Sequence, residues 1–167
     1  MTPFRIAAAF LALGVFSGAG ALAQQAAPQE TVKVKHGDWE VRCGANDSCY
    51  MNQVVANDEG APLINVAIRR LKNNDQAKAI AVFVAPLGVV LPRGVEMRID
   101  SGDAIGSPFL YCLQNGCFSE LAMTDEGLDR FRRGAAATLQ IFSVQKPTEA
   151  IKRKLSLSGF TKAYGAL

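Results

Sequence analysis

From Thr31 onward the dominant hydrophobic period is two, and no other feature restricts the fold as strongly. In "VEMRID" the residues Val95, Met97 and Ile99 alternate with Glu96, Arg98 and Asp100. In "WEVRC" the set Trp39, Val41 and Cys43 opposes Glu40 and Arg42. Strands of this kind have one dry and one wet face. "INVAIR" sets Ile64, Val66 and Ile68 on one side, and "AIAVFV" follows the turn "KNND", so residues 63–84 are predicted to form a hairpin. "ATLQIFSVQ" and "IKRKLSLS" form another, with Lys146-Pro147-Thr148 expected as its turn. A sheet with one dry face must bury it against a second layer. The predicted fold is therefore mainly β, a two-layer antiparallel β-sandwich or flattened barrel.

Two short helices interrupt the pattern. Thr124 is placed to cap a helix with Asp125 and Glu126 in its first turn, Arg132 and Arg133 in its last, and Gly134 as its stop. Gly127 inside it weakens the helix by about 1 kcal/mol. In the closing "SGFTKAYGAL", Phe160, Ala163, Tyr164 and Leu167 make one apolar stripe on a helix too short to stand alone, so it must dock on the sheet.

The first 23 residues read as a secretory signal peptide: Arg5, an apolar run from Ile6 to Leu22, and a small-residue end at Ala21-Leu22-Ala23, with cleavage before Gln24. A polar arm containing Pro28 is expected over 24–31, and a single β-rich domain over 32–167. Losing Arg5 leaves 17 of the 18 basic side chains against 15 acidic ones, a balance that by itself predicts no polyanion partner, nucleic acid included. No stable membrane insertion is expected after cleavage.

Four cysteines in an exported chain imply two disulfides, for which three pairings exist. Local bridges, Cys43 with Cys49 and Cys112 with Cys117, stabilise by about 2 kcal/mol each in the chain-entropy model, and a long bridge from Cys43 to Cys117 by about 4 kcal/mol. Entropy alone does not choose between them. The turn formers inside "CGANDSC" and "CLQNGC" favour the local pairing, because they bring the thiols together before tertiary packing. The second pair is expected to flank an Asn115-Gly116 turn.

Catalytic vocabulary is sparse. His36 is the single histidine, which removes two-histidine metal sites and leaves a Ser-His-Asp set only if His36 supplies the base. Gaps of five and four residues between the cysteines fit zinc knuckles poorly, and there is no C-x-x-C. Neither metal nor cofactor is expected. Asp38, Asp100, Asp103, Asp125 and Glu126 are carboxylates by type only, at turns, strand ends or a helix start. "PLGVVLPRGV", with Pro86 and Pro92, reads as a rigid strand connection and not a phosphate loop. Three basic clusters are candidates for an anionic surface if two of them converge: Arg69-Arg70, Arg130 with Arg132-Arg133, and Lys152-Arg153-Lys154.

"GDWEVRC" followed by "CYMNQ", the central "PLGVVLPRGVEMRID", the pair "PFLYC…GC" and the closing "SLSGFTKAYGAL" resemble the invasion-associated locus B family of exported proteins of Gram-negative bacteria. The resemblance runs in order from about Gly37 to Leu167. It implies a small β-rich periplasmic or secreted protein, associated in pathogenic relatives with entry into host cells, and it implies Trp39, Pro86, Gly88, Gly94, Asp100 and the four cysteines as framework positions. The resulting expectation is a non-enzymatic protein of the periplasm, with secretion or outer-membrane association as further destinations, that binds an unidentified protein or an envelope or host-surface component. A periplasmic folding or assembly factor lending an edge strand, and an envelope glycan hydrolase using paired carboxylates, are the competing expectations.

Overall fold

The computed structural model describes residues 30–44 and 48–167. The expected signal peptide, all but the last two residues of the arm, and the tip of the first cysteine loop lie outside the described residues. The alternating segments become strands: β1 (Thr31–His36), β2 (Trp39–Cys43), β3 (Cys49–Ala56), β4 (Pro62–Arg70), β5 (Ala79–Ala85), β6 (Val95–Ile99), β7 (Ala104–Ser107), β8 (Phe109–Leu113), β9 (Gly116–Met123), β10 (Ala136–Ser143) and β11 (Lys146–Ser156). Helix α1 (Asp125–Arg133) follows β9, and α2 (Phe160–Gly165) closes the chain.

Seven strands in the order β1-β2-β3-β4-β5-β9-β8 form one antiparallel sheet, and four in the order β11-β10-β6-β7 form the other. Both sheets are open, so the architecture is the sandwich and not the flattened barrel. The proline-bearing connection carries the chain between them: Val89 bridges to Ser143, and a single 3-10 turn at Leu91–Arg93 precedes β6. Alternation supplies the core. Ile64, Val66 and Ile68 of β4, Trp39 and Val41 of β2, and Leu139 and Ile141 of β10 are almost completely buried.

Polar stitches lock the two layers along both seams. Gln53, buried on the inner face of β3, donates from Nε2 to the Ser156 carbonyl (2.9 Å) and accepts the Ser156 N–H at Oε1 (2.9 Å). The Trp39 indole N–H reaches the same carbonyl (3.0 Å). At the opposite seam Ser119 Oγ donates to the Ser107 carbonyl (2.9 Å), and Ser107 Oγ to that of Glu120 (2.8 Å). Each buried polar group in these stitches has a partner, which burial requires.

Both short helices form where expected. Thr124 Oγ1 accepts the Gly127 N–H (3.2 Å), so the weak residue lies at the capped turn. Gly134 ends α1 in an extended conformation, not a left-handed one. It is needed for space, since a Cβ there would press against Ile99 and Leu157 side chains. In α2, Phe160, Ala163 and Tyr164 are buried, and Phe160 packs edge-on against Trp39 with ring centroids 5.5 Å apart.

The α2 entry also interlocks with the first hairpin. Gly37, at φ +56°, turns the chain between β1 and β2, and Gly159, at φ +84°, turns it into α2. A Cβ on Gly37 would strike the Ser158 carbonyl, and one on Gly159 the His36 carbonyl. The Asp38 N–H donates to Ser158 O (3.2 Å). "GDW" and "SGF" are therefore the two halves of one joint.

Two turns differ from expectation. Ser143 pairs with Lys146, so the last hairpin turns at Val144-Gln145, and Lys146 and Pro147 belong to β11. Pro147 is tolerated because β11 is an edge strand, where a missing N–H costs no ladder bond. Likewise Leu113 pairs with Gly116, so the β8–β9 turn is Gln114-Asn115 and Gly116 begins β9. Both local disulfides form, and in each the cysteines are direct cross-strand partners, with Cα separations of 4.1 Å for Cys43–Cys49 and 4.0 Å for Cys112–Cys117.

Candidate functional site

Two of the three basic clusters contribute to one site. Arg70 has the same strand parity as Ile68 and Val66, so its side chain leaves β4 on the inner side, just past the end of the core. There α2 covers the end of the sandwich. The Arg70 guanidinium donates to the Tyr164 carbonyl (2.8 Å) and lies 4.7 Å from the centroid of the Tyr164 ring. Helix α1 delivers Arg132 to the same ring, at 5.4 Å, with Asp129 holding its Nη1 at 2.7 Å. Tyr164 is itself fixed, stacked on Phe160 with a centroid separation of 6.0 Å and donating its hydroxyl to the Lys78 carbonyl (3.4 Å). Two cations thus share one aromatic platform.

Around this platform the surface is basic. Arg70, Lys78 and Arg132 line a depression of about 460 Å³ together with Thr161, Tyr164 and Asp125. Arg132 and Thr161 also border a neighbouring depression of about 490 Å³, whose rim carries Lys35, His36 and Lys162. Among the described residues Asp125 is the one acid lining either hollow, while Asp129 pairs with Arg132 (2.7 Å) and Glu40 lies 3.9 Å from Lys35, which leaves Arg70, Lys78 and Lys162 as the cations without an acidic partner within 4 Å. A guanidinium fixed by a carbonyl and an aromatic face keeps free N–H donors in a set orientation, which suits carboxylate, sulfate or phosphate oxygens.

The remaining basic residues are separated by the period of the strands. Arg69 has the opposite parity to Arg70 and belongs to the outer face of the seven-stranded sheet. Arg130 is engaged by Glu126 (2.8 Å) and, with Arg133, borders a third hollow of about 360 Å³ that also contains Asp100 and Asp103. Lys152 and Lys154 are exposed on the outer face of the four-stranded sheet. Arg153 points the other way and pairs with Asp58 (2.6 Å), joining β11 to the β3–β4 turn. Lys35, Lys78, Lys162 and Tyr164 are the members that sequence reasoning did not assign to the site. Only Lys162 carried a local signal, on the exposed side of the α2 stripe.

Asp100 and the four cysteines have structural employment. Asp100, at φ +47°, accepts the Ala135 N–H (3.2 Å) and the Ala136 N–H (3.1 Å), which anchors the entry to β10. Its neighbour Asp103 lines the same third hollow. All four cysteines are consumed by the disulfides. Among the described residues, no three His, Cys, Asp or Glu side chains gather in a metal-holding group. Tyr50 is perturbed: partial burial and a hydrogen bond to Glu30 push its phenol up to about 12, with Arg42 opposing.

A family model described as "Invasion associated locus B (IalB) protein" matches residues 39–167. Curated relatives include Invasion protein B homologs of Brucella abortus strain 2308 and of Brucella abortus biovar 1 strain 9-941. Each is 24% identical over 136 residues, spanning 80% of this chain and 77% of the relative. The crystal structure of invasion associated protein B from Bartonella henselae superposes with a TM-score of 0.70 at 18% identity, covering 81% of this chain and 95% of that one. That likeness supports the sandwich fold.

Proposed function

The chain belongs to the invasion associated locus B family, and on that premise we propose that it is a non-enzymatic exported protein of the periplasm or cell surface that binds an anionic envelope or host-surface component through the basic face around α2. The family description names an association with invasion and no reaction. The observation that carries the reading is the convergence of Arg70 and Arg132 on the Tyr164 ring, with Lys78 beside them. These residues come from β4, the β4–β5 connection, α1 and α2, so the fold gathers positive charge that the sequence disperses. The hollows are shallow and basic, a shape suited to a polymer or a surface more than to an enclosed small substrate.

The test combines Lys78→Gln, at a half-buried position, with Arg132→Gln and Lys162→Gln, at exposed ones. Binding to heparin and to phosphatidylglycerol vesicles is measured against phosphatidylcholine vesicles, across a salt series. With about 1 kcal/mol per basic residue near an anionic surface, the triple variant should lose about 100-fold in affinity, and wild-type binding should fall steeply with salt. Unchanged retention by the triple variant, or equal binding to neutral vesicles, would refute the reading.

A further inference from the structure

The sheet edges among the described residues are protected unequally. β1 carries Lys33 and Lys35 and a register shift between Val32 and Val34. β11 carries Pro147, Lys152 and Lys154, and β7 is only four residues long. Charges, proline, irregularity and shortness are the ordinary means of preventing strand-to-strand association. β8, at the end of the seven-stranded sheet, reads "FLYCL" and contains neither charge nor proline, and its own register shift, between Phe109 and Tyr111, leaves the stretch from Tyr111 to Leu113 regularly paired with β9. Leu110, Tyr111 and Leu113 are 59%, 45% and 57% exposed. The 3-10 turn at Leu91–Arg93 approaches β8, in which Phe109 is buried, and the end of the edge from Tyr111 to Leu113 is left apolar and exposed.

The second disulfide determines which backbone groups that edge presents. Cys112 and Cys117 are direct partners with Cα atoms 4.0 Å apart, the close spacing of a non-hydrogen-bonded antiparallel pair. The N–H and C=O of Cys112 therefore point away from β9, into the open edge. An antiparallel neighbour must meet them with a matching N–H and C=O.

We propose that the occupant of this edge is β8 of a second copy of the chain, paired antiparallel about a two-fold axis at Cys112. In that register Cys112 faces Cys112 as a hydrogen-bonded pair, and each copy supplies both the donor and the acceptor that the other lacks. Tyr111 then lies opposite Leu113 of the other copy, and Leu113 opposite its Tyr111. Aromatic-aliphatic cross-strand pairs of this kind are favourable. Phe118, stacked on Tyr111 at 5.0 Å, widens the apolar strip on the same face. Because β8 has no charge, the two-fold axis brings no like charges together within the strand. An isologous contact requires this self-complementarity, whereas a foreign strand would not. A five-residue edge makes a small interface, so the dimer is transient and forms by mass action.

Sedimentation velocity of the signal-free chain from about 5 to about 500 µM tests this, together with hydrogen exchange at the Cys112 amide over the same series. The weight-average mass should climb toward the dimer as the Cys112 amide becomes protected. Leu113→Lys, at an exposed position, should shift association to at least tenfold higher concentration, while Val32→Lys on the β1 edge should leave it unchanged. A mass that stays monomeric with a Cys112 amide indifferent to concentration overturns the proposal. Equal weakening by both lysine variants overturns it as well, because association would then not be specific to β8.

Discussion

The Cys112–Cys117 bridge joins two very different environments, and its removal from either end should therefore differ in cost. Cys117 is 1% exposed on the inner face of β9, whereas Cys112 lies on the exposed strand β8. Closing a loop of sequence separation 5 stabilises by about 2 kcal/mol in the chain-entropy model. Cys112→Ser loses that tether and little else, since its hydroxyl meets water and the freed Cys117 thiol packs as a small apolar group. Cys117→Ser loses the tether and also buries a hydroxyl among apolar neighbours, which adds about 1–3 kcal/mol. The expected destabilisations are about 2 kcal/mol for Cys112→Ser and about 4 kcal/mol for Cys117→Ser. Equilibrium urea unfolding reads both through the single tryptophan, Trp39, which is fully buried in the fold. The exposed thiol left in Cys117→Ser is alkylated first to prevent intermolecular bridging. Thiol labelling adds an independent check: Cys117 in native Cys112→Ser should resist a reagent that modifies Cys112 at once in Cys117→Ser. Equal losses would refute the assigned burial, and no loss in Cys112→Ser would refute the contribution of the tether.

Gln53→Leu should cost about 2 kcal/mol, because the Ser156 N–H loses its acceptor in the seam between the sheets; urea unfolding measures it, and a neutral result would mean that the seam reorganises. Tyr50 should ionise near pH 12 in a phenolate absorbance titration, against about 10 for an ordinary tyrosine. Its folded-state pKa is raised, so the stability it contributes is complete below about pH 10 and is lost as pH rises through about 12. Glu30→Gln should lower the transition without abolishing the shift, since burial is its larger cause.

The β class, the strand faces in "VEMRID" and "INVAIR", the cap at Thr124 and the disulfide partners were legible because each is set by residues close in sequence. "AIAVFV" was less so, being apolar on both faces. The structure buries Ala79, Ala81 and Phe83 and leaves Ile80, Val82 and Val84 half-buried outside, a choice fixed by register with β4, where Ala81 faces Ile68. The final turn was misplaced because Pro147 normally marks a break, and only knowledge that β11 is an edge makes a proline admissible there. The basic face was legible only in its ingredients. Arg70 and Arg132 meet because α2 supplies the ring between them, a tertiary fact with no local signature.

The joint between Gly37 and Gly159 has a consequence for the order in which the fold can be completed. It connects the first turn of the described chain to a turn eight residues from its end, and the same closing segment supplies Phe160 against Trp39 and carries the carbonyl of Ser158 that receives the Asp38 N–H. A chain delivered N-terminus first can pair β1 with β2 early, but Trp39 remains uncovered until "SGF" arrives. Contacts of such long sequence separation are slow to form. The molecule therefore stays unlatched through nearly the whole of its delivery, and a stop codon at position 157 would leave every residue of the strands encoded but the joint permanently open.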